Sequence, residues 1–218
     1  MILQGEKTPG KPFFMAIAGN IGVGKTTLTQ RIAEKFQWQA YFERVINNPY
    51  LEDFYADMKR WSFHLQVYFL SRRFMDQKAI IEADQDCVQD RTIYEDAEIF
   101  ARILHEQHYM SDRDYENYSD LFNTMTSYLR KPDLIIYLRA STWTLITRIR
   151  KRGRDYEKTI TTEYLHVLNN AYEQWMARAQ QDFRIITVDA DRFDFEKDPA
   201  VLQEIYAQIR DYRADHIA

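Results

Sequence analysis

Short apolar runs alternate along the chain with longer segments of helical periodicity. A brief run of apolar residues predicts a buried strand, and Gly19 ends the first of these runs. The run after Pro132 is almost wholly apolar, which is typical of a strand that is covered on both faces. Five strands are predicted in all, at residues 12–19, 40–45, 87–92, 132–138 and 183–190.

The segments between these runs have the repeat of amphipathic helices. Leu28, Ile32 and Phe36, for example, are spaced four residues apart and therefore share one helix face. Helices are predicted at 26–36, 47–60 (after an initial turn), 61–83, 94–110, 112–129, 142–156, 161–180 and 198–212. Because strands and helices alternate, we expect an α/β fold with a parallel sheet of about five strands flanked by helices, and a ligand site beyond the carboxyl ends of the strands.

Length and composition narrow the class of protein. The 218 residues predict a single domain at 13–218 after a flexible tail at 1–12. A net charge of −4 makes nucleic acid an unfavourable partner, and no apolar run has the length of a membrane span. We therefore expect neither nucleic acid nor a membrane as a partner. One cysteine, Cys87, excludes an intrachain disulfide and agrees with a reducing cytoplasm.

The segment "GNIGVGKTT" at residues 19–27 follows the first predicted strand and opens the first predicted helix. It matches G-x-x-x-x-G-K-S/T, whose glycines let backbone N–H groups surround phosphates. Lys25 would place charge on the β- and γ-phosphates and Thr26 would offer a hydroxyl to Mg²⁺. The alternative is a glycine-rich turn that only caps a helix. The expected nucleotide-binding residues are Gly19, Asn20, Ile21, Gly22, Val23, Gly24, Lys25, Thr26 and Thr27.

Charged residues follow other predicted strands. Glu43 ends the second strand and is a candidate general base near the γ-phosphate. Asp90 and Arg91 end the third strand, where Asp90 would assist Mg²⁺ and Arg91 would steady a phosphoryl group. Each of these residues alone would also suit a solvated loop, but together around one phosphate loop they favour a catalytic site.

Two further patterns suggest binding surfaces. Gln66 and Arg73 are seven residues apart and share a helix face with apolar residues, which suits recognition of the edge of a heterocyclic base. The alternative is a helix whose polar edge is partly exposed to solvent. Residues 148–154 include five basic side chains around Gly153. They predict a lid at about 150–160 that closes arginines over a triphosphate, the alternatives being a solvated basic face or a nucleic-acid patch.

The segments "GNIGVGKTT", "FERV", "WSFHLQVYFLSRR", "DRTIYEDAEIFA" and "RIRKRGRDYE" occur in this order. Together they resemble the deoxyribonucleoside kinase family, which includes deoxycytidine, deoxyguanosine and deoxyadenosine kinases and the insect multisubstrate enzyme. The resemblance extends from about Phe13 to the last helix, and "NNPYLEDFY" resembles the bacterial branch. It implies a P-loop kinase fold and phosphorylation of a deoxynucleoside by ATP and Mg²⁺, in a homodimer.

The resemblance also implies roles for particular residues. Glu43 would take the proton of the 5′-hydroxyl, although Arg44 stands where the family often has proline. The remaining matches place Asp90 and Arg91 near Mg²⁺ and the phosphoryl group, Gln66 at the base edge, Phe100 on the base face, Tyr55 and Glu157 at the 3′-hydroxyl, Arg152 and Arg154 in the lid, Arg73 and Asp96 at an exocyclic amino group, and Arg192 of "DADRFDF" on the donor adenine.

The bacterial branch that "NNPYLEDFY" resembles has deoxyadenosine kinase activity. Deoxyadenosine is therefore the expected acceptor, with deoxyguanosine and deoxycytidine as alternatives. Two rival functions share the phosphate loop. A thymidylate-type nucleoside monophosphate kinase would need to hold one more phosphate, which Glu43 and Glu157 would disfavour. A non-catalytic nucleotide-binding regulatory module would need neither a base nor a sugar grip.

Overall fold

A computed structural model of the chain describes residues 11–43, 48–193, 195 and 198–217. Five strands form one entirely parallel sheet in the order β2-β3-β1-β4-β5. The strands are β1 (Phe14–Gly19), β2 (Gln39–Tyr41), β3 (Cys87–Asp90), β4 (Leu134–Arg139) and β5 (Ile185–Asp189). The predicted five-stranded parallel sheet is confirmed.

Helices connect the strands. They are α1 (Lys25–Phe36), α2 (Leu51–Ala56), α3 (Met58–Glu82), α4 (Ile93–Glu95), a π-helical segment (Asp96–Ala101), α5 (Arg102–Glu106), α6 (Asp112–Thr126), α7 (Thr142–Arg152), a 3₁₀ turn (Asp155–Glu157), α8 (Thr162–Ala179) and α9 (Pro199–Ile217). Of the helices that the structure describes, none is both long enough and apolar enough to cross a membrane.

Three of the boundaries that differ from the predictions bear on the site. The helix expected from residue 61 begins at Met58, because the Asp57 side chain accepts a hydrogen bond from the Arg60 N–H and caps it. The helix expected at 94–110 ends at Glu106 and contains the π-helical segment, a feature frequent at functional sites. The second strand ends at Tyr41, so Glu43 lies in the loop beyond it. Arg44 and most of the predicted tail lie outside the described residues.

Apolar burial divides into two main clusters. One surrounds β1, whose six residues are all buried, as expected for the central strand of a sheet covered on both faces. The other gathers α2, α3 and the 93–106 helical stretch around the buried Tyr118 of α6. Cys87 is buried in β3 and has a free thiol.

Candidate active site

The carboxyl ends of the parallel strands meet at one edge of the sheet. In the register, Ile17 of β1 lies opposite Asp90 of β3, and Gly19 lies opposite Leu138 of β4. A cavity of about 660 Å³ opens beside these strand ends, a size typical of small-molecule sites. It is lined by these predicted residues: Ile21, Gly22, Gly24, Lys25, Thr26, Thr27, Glu43, Tyr55, Gln66, Arg91, Asp96, Phe100, Arg152, Arg154 and Glu157. The remaining predicted residues, which the lining does not include, are Gly19, Asn20, Val23, Arg73, Asp90 and Arg192.

The phosphate loop requires glycine at its first position. Gly19 has a φ of +146°, and a Cβ there would lie 2.6 Å from the carbonyl oxygen of Leu138. The neighbouring strand β4 therefore leaves no room for a side chain at this position. Gly24 ends the loop with a φ of +108°, directly before the N-terminus of α1. The loop thus presents backbone N–H groups and the positive end of a helix to the cavity, which suits an anion.

The side chains of Lys25 and Asn20 fasten the loop. The Lys25 ammonium donates to the carbonyl oxygens of Gly19 and Asn20 at 2.9 and 3.1 Å, which leaves its third hydrogen for another acceptor. Burial, followed by the charge of Arg91, lowers the pKa of Lys25 to about 8. The buried Asn20 side chain donates to Leu165 O and Asn169 Oδ1 in α8, so it anchors the loop to the helix layer.

Thr26 and Asp90 form a pair that fits a magnesium ion. The Thr26 hydroxyl donates to Asp90 Oδ2 at 2.5 Å, and the buried Asp90 Oδ1 has no hydrogen-bond partner within the described part of the chain. Burial raises the pKa of Asp90 above its ordinary value. Across the described ranges, no group of three or more His, Cys, Asp or Glu forms a metal cage. One carboxylate with a hydroxyl still suits Mg²⁺, which retains water and substrate phosphate as ligands.

Glu43 lies between two buried arginines. Its Oε1 is 2.6 Å from Arg73 Nη2 and 2.9 Å from Arg91 Nε. Burial alone would raise the pKa of Glu43, but the charges of Arg91 and Arg73 outweigh it and lower the pKa to about 2. The side chain, which is 20% exposed, therefore presents a carboxylate to the cavity at neutral pH.

The predicted base-recognition residues are gathered at the same cavity. Gln66 is buried in α3, and its Oε1 has no hydrogen-bond partner among the residues described. Asp96 accepts from Arg73 Nε at 3.1 Å, and burial raises the Asp96 pKa to about 6 against the opposing charge of Arg73. Arg73 itself lies behind the lining and orients both Asp96 and Glu43. The Phe100 ring lines the cavity and makes a cation–π contact with the Arg91 guanidinium, whose central carbon lies 4.4 Å from the ring centroid.

One carboxylate holds the predicted lid arginines. The buried Glu157 accepts from Arg152 at 2.6 and 3.0 Å, and from Arg154 at 3.5 Å. Tyr55 reaches the same region, where its ring stacks on Tyr156 with centroids 6.2 Å apart. Residues that are expected to bind sugar and phosphate are therefore adjacent, and the arginines are paired with Glu157 in this structure.

Arg192, the predicted contact of the donor adenine, lies elsewhere in this structure. It is 76% exposed and pairs with Asp189 at 3.1 Å. Arg148 fills a role that the sequence did not indicate. It donates to the carbonyl oxygens of Val23, Ala190 and Phe193 at 2.7 to 2.8 Å, and so joins the phosphate loop to the segment after β5.

Arg148 belongs to the predicted basic run, but backbone carbonyl partners leave no pattern in a sequence. Its spacing from Arg152, four residues along one helix, was the available signal, because that spacing places both side chains on the cavity face of α7.

Comparisons with known proteins found curated relatives and solved structures that are similar to this chain over most of its length. The chain is 44% identical over 169 residues to the deoxyadenosine/deoxycytidine kinase of Bacillus subtilis, covering 77% of this chain and 78% of that protein. It is 41% identical over 197 residues to the deoxyadenosine kinase of Dictyostelium discoideum, covering 90% and 80% respectively.

A solved structure of the deoxyadenosine kinase of M. mycoides, with products dCMP and a flexible dCDP bound, superposes with a TM-score of 0.82 at 34% identity. The match covers 91% of this chain and 100% of that one, so the fold is a P-loop kinase fold. The family model described as deoxynucleoside kinase matches residues 15–213. With a family match over nearly its whole length, this chain belongs to the deoxynucleoside kinases.

Proposed function

We propose that the chain transfers the γ-phosphoryl group of ATP to the 5′-hydroxyl of a deoxynucleoside, with deoxyadenosine as the preferred acceptor. The observation that carries this proposal is a single cavity lined by the phosphate loop, by Glu43, and by Gln66 with Asp96. An anion site, a proton acceptor and groups that recognise a base are what phosphorylation of a nucleoside requires.

In the proposed reaction Glu43 accepts the proton of the 5′-hydroxyl as the oxygen attacks the γ-phosphorus of ATP, and the bond between that phosphorus and the β–γ bridging oxygen breaks so that ADP leaves. Its carboxylate is ionised at neutral pH, and Arg91 and Arg73 orient it. Lys25 and Arg91 stabilise the charge on the phosphoryl oxygens. Thr26 and Asp90 are the residues that would hold Mg²⁺, which when bound neutralises charge on the triphosphate.

Base selectivity follows from the acceptors that face the cavity. Gln66 offers an amide, and Asp96, oriented by Arg73, offers a carboxylate. Adenine, cytosine and guanine carry an exocyclic amino group that can donate to such acceptors, whereas thymine carries none. Phe100 would stack on the base and Tyr55 with Glu157 would bind the 3′-hydroxyl. The names of the Bacillus and Dictyostelium relatives support deoxyadenosine.

The lid is also part of the proposal. Arg152 and Arg154, now paired with Glu157, would turn toward triphosphate when ATP binds, within a lid at about 150–160. A more highly charged anion competes well for arginine, so exchange of partners is physically reasonable. Arg192 would approach the donor adenine only if the segment after β5 moves, since the cavity lining does not include it here.

A nucleoside panel tests the function. ADP release is measured with ATP, Mg²⁺ and each of the four deoxynucleosides, and with thymidylate as a fifth acceptor. We expect deoxyadenosine to give the highest kcat/KM and thymidine the lowest among the nucleosides. Turnover of thymidylate above that of every nucleoside would favour a thymidylate-type kinase. Nucleotide binding with no acceptor-dependent ADP release would favour a regulatory module.

The proposal includes a homodimer in the cytoplasm. The family resemblance supports the dimer and the single cysteine is consistent with the location. Sedimentation at micromolar concentration tests the dimer, for which a mass near twice the 26.3 kDa of one chain is expected. A mass that stays at one chain would contradict it.

A further inference from the structure

Glu95 is a buried carboxylate with no part in the reaction proposed above. It has no exposed surface and ends α4, one residue before Asp96. Its Oε1 accepts from the Thr92 backbone N–H at 2.8 Å and from the Thr92 hydroxyl at 3.3 Å. Its Oε2 accepts from the Gly19 backbone N–H at 3.0 Å and from the Tyr172 hydroxyl at 2.7 Å. A carboxylate suits this position because it accepts from all four donors and donates to none.

Two of these donors belong to other parts of the site. Gly19 begins the phosphate loop, so its N–H bond fixes the end of β1 to the end of α4. Tyr172 extends from α8 and is fully buried, with its ring stacked on Tyr137 at 5.9 Å between centroids. Burial, followed by the charge of Glu95, raises the pKa of Tyr172 well above its ordinary value, so its hydroxyl keeps the proton that it donates.

The Tyr172 hydroxyl also accepts from Arg91 Nη1 at 3.2 Å. A continuous path of hydrogen bonds therefore leads from Arg91 through Tyr172 to Glu95 and on to Gly19. It reaches the guanidinium on a different nitrogen from Nε, the atom nearest Glu43. The two contacts together fix the plane of the guanidinium as well as its position.

Arg91 needs such support because its backbone is strained. Its φ is +71°, in the left-handed region that a residue with a Cβ adopts at a cost. A strained conformation persists only where its surroundings hold it, and such positions concentrate at functional sites. Apart from the Arg91 N–H bond to Ile17 O, the contacts described here all act on its side chain.

We propose that Glu95 and Tyr172 are positioning residues that orient the Arg91 guanidinium and the first amide of the phosphate loop relative to each other. We call them the Glu95–Tyr172 brace. The inference rests on the proposed phosphoryl transfer, because it assigns the brace to the group that stabilises the transferred phosphoryl. Neither residue lines the cavity, so both act through Arg91 and Gly19 and not on substrate.

The test compares Tyr172→Phe with Tyr137→Phe. Each variant loses one hydroxyl and keeps its ring, and the Tyr137 hydroxyl bonds Glu173 at 2.9 Å, apart from Arg91. We expect Y172F to lower kcat about ten-fold, because the Arg91 guanidinium loses its hydrogen bond to the Tyr172 hydroxyl, with KM for the nucleoside and affinity for ATP within about two-fold. Y137F should keep kcat within about two-fold while melting at a similarly reduced temperature.

A double-mutant cycle with Arg91→Met separates positioning from general stability. If Tyr172 acts through Arg91, Y172F should cost about ten-fold in kcat in the wild-type background and under about two-fold in the R91M background. Equal losses in both backgrounds, or wild-type kcat in Y172F, would overturn the brace. Wild-type protein without nucleoside-dependent ADP release would instead overturn the proposed function, and the brace with it.

Glu95→Gln is the second variant, since it preserves volume but points an amide donor at groups that already donate. We expect it to lower kcat as Y172F does, and the E95Q/Y172F pair to be no worse than the lower single variant. Loss of folding in both single variants would also refute positioning, because the pair would then be a requirement of the fold.

Discussion

Replacing Glu43 by glutamine is the sharpest perturbation of the candidate site. Glutamine has nearly the same shape and can still accept from Arg73, but it can take no proton at neutral pH. It also removes the negative charge that lies 2.6 Å from Arg73 Nη2 and 2.9 Å from Arg91 Nε. The variant should therefore change both the rate of the reaction and the stability of the protein.

The two effects can be sized separately. Loss of a general base costs roughly 10² to 10⁴ in kcat, or about 3 to 5 kcal/mol in the activation barrier. The pKa of Glu43 lies at about 2 against an ordinary 4.5, which corresponds to about 3 kcal/mol favouring the carboxylate in the folded state. Two arginines left without that charge should lower the melting temperature by roughly 6 to 12 °C.

The stability effect has a defined pH dependence. The folded-state pKa of Glu43 is lowered, so its contribution is complete above pH 4.5 and is lost as the pH falls toward 2. The difference in unfolding free energy between wild type and E43Q should be constant from pH 5 to 8 and shrink in acid.

Steady-state ADP release gives kcat, ATP titration of the resting protein gives affinity, and urea unfolding gives stability. Glu106→Gln is the matched control, because Glu106 pairs with Arg102 on the surface at 2.8 Å and should affect neither rate nor ATP affinity. Near-normal turnover in E43Q would remove Glu43 from the role of base. A rate loss matched by an equal loss of ATP affinity would show that the residue shapes the phosphate site instead.

Three further substitutions probe the donor side. Gly19→Ala should melt several degrees lower than Gly153→Ala, because both sites have positive φ but only Gly19 would bring its Cβ to within 2.6 Å of a carbonyl oxygen; differential scanning fluorimetry measures this. Thr26→Ala should raise the Mg²⁺ concentration for half-maximal activity about ten-fold, while Thr26→Ser restores it, and a magnesium titration of kcat distinguishes them. Arg148→Met should raise KM for ATP about ten-fold without changing KM for the nucleoside, since it breaks three bonds around the donor side only.

Local signals in the sequence were sufficient for the sheet and the phosphate loop. A buried parallel strand is a short apolar run, and the loop has a fixed spacing of glycine, lysine and threonine. The strand ends then indicated Glu43, Asp90 and Arg91, because carboxyl ends of parallel strands meet at one edge. The structure brings Glu43 and Arg91 into the cavity lining and places Asp90 within hydrogen-bond distance of Thr26.

Contacts between distant segments were beyond the sequence. The spacing of Thr92 and Glu95 is that of a capping box, and the structure contains this capping box. No neighbouring residue in the sequence indicates that Gly19 and Tyr172 also donate to the Glu95 carboxylate. The carbonyl partners of Arg148 are equally invisible, because every residue has a carbonyl. The π-helical segment could not be predicted either. Its wider turn alters the helical repeat only over Asp96–Ala101, which is too short a stretch to change the spacing of apolar residues noticeably.

Two carboxylates at the cavity are each paired with two arginines. Glu43 pairs with Arg73 and Arg91, and Glu157 pairs with Arg152 and Arg154. A charge that is buried alone is costly, so these pairs offset the cost of burying the two carboxylates before any substrate arrives. The pairs nevertheless differ in one respect. Those of Glu43 join side chains on α3, on the loop after β3 and on the loop after β2, whereas those of Glu157 lie within one short stretch of chain. In the proposed mechanism, pairs between distant segments hold the group that takes a proton in one orientation, and pairs between near neighbours in the sequence suit groups that would close on a triphosphate and reopen in every cycle.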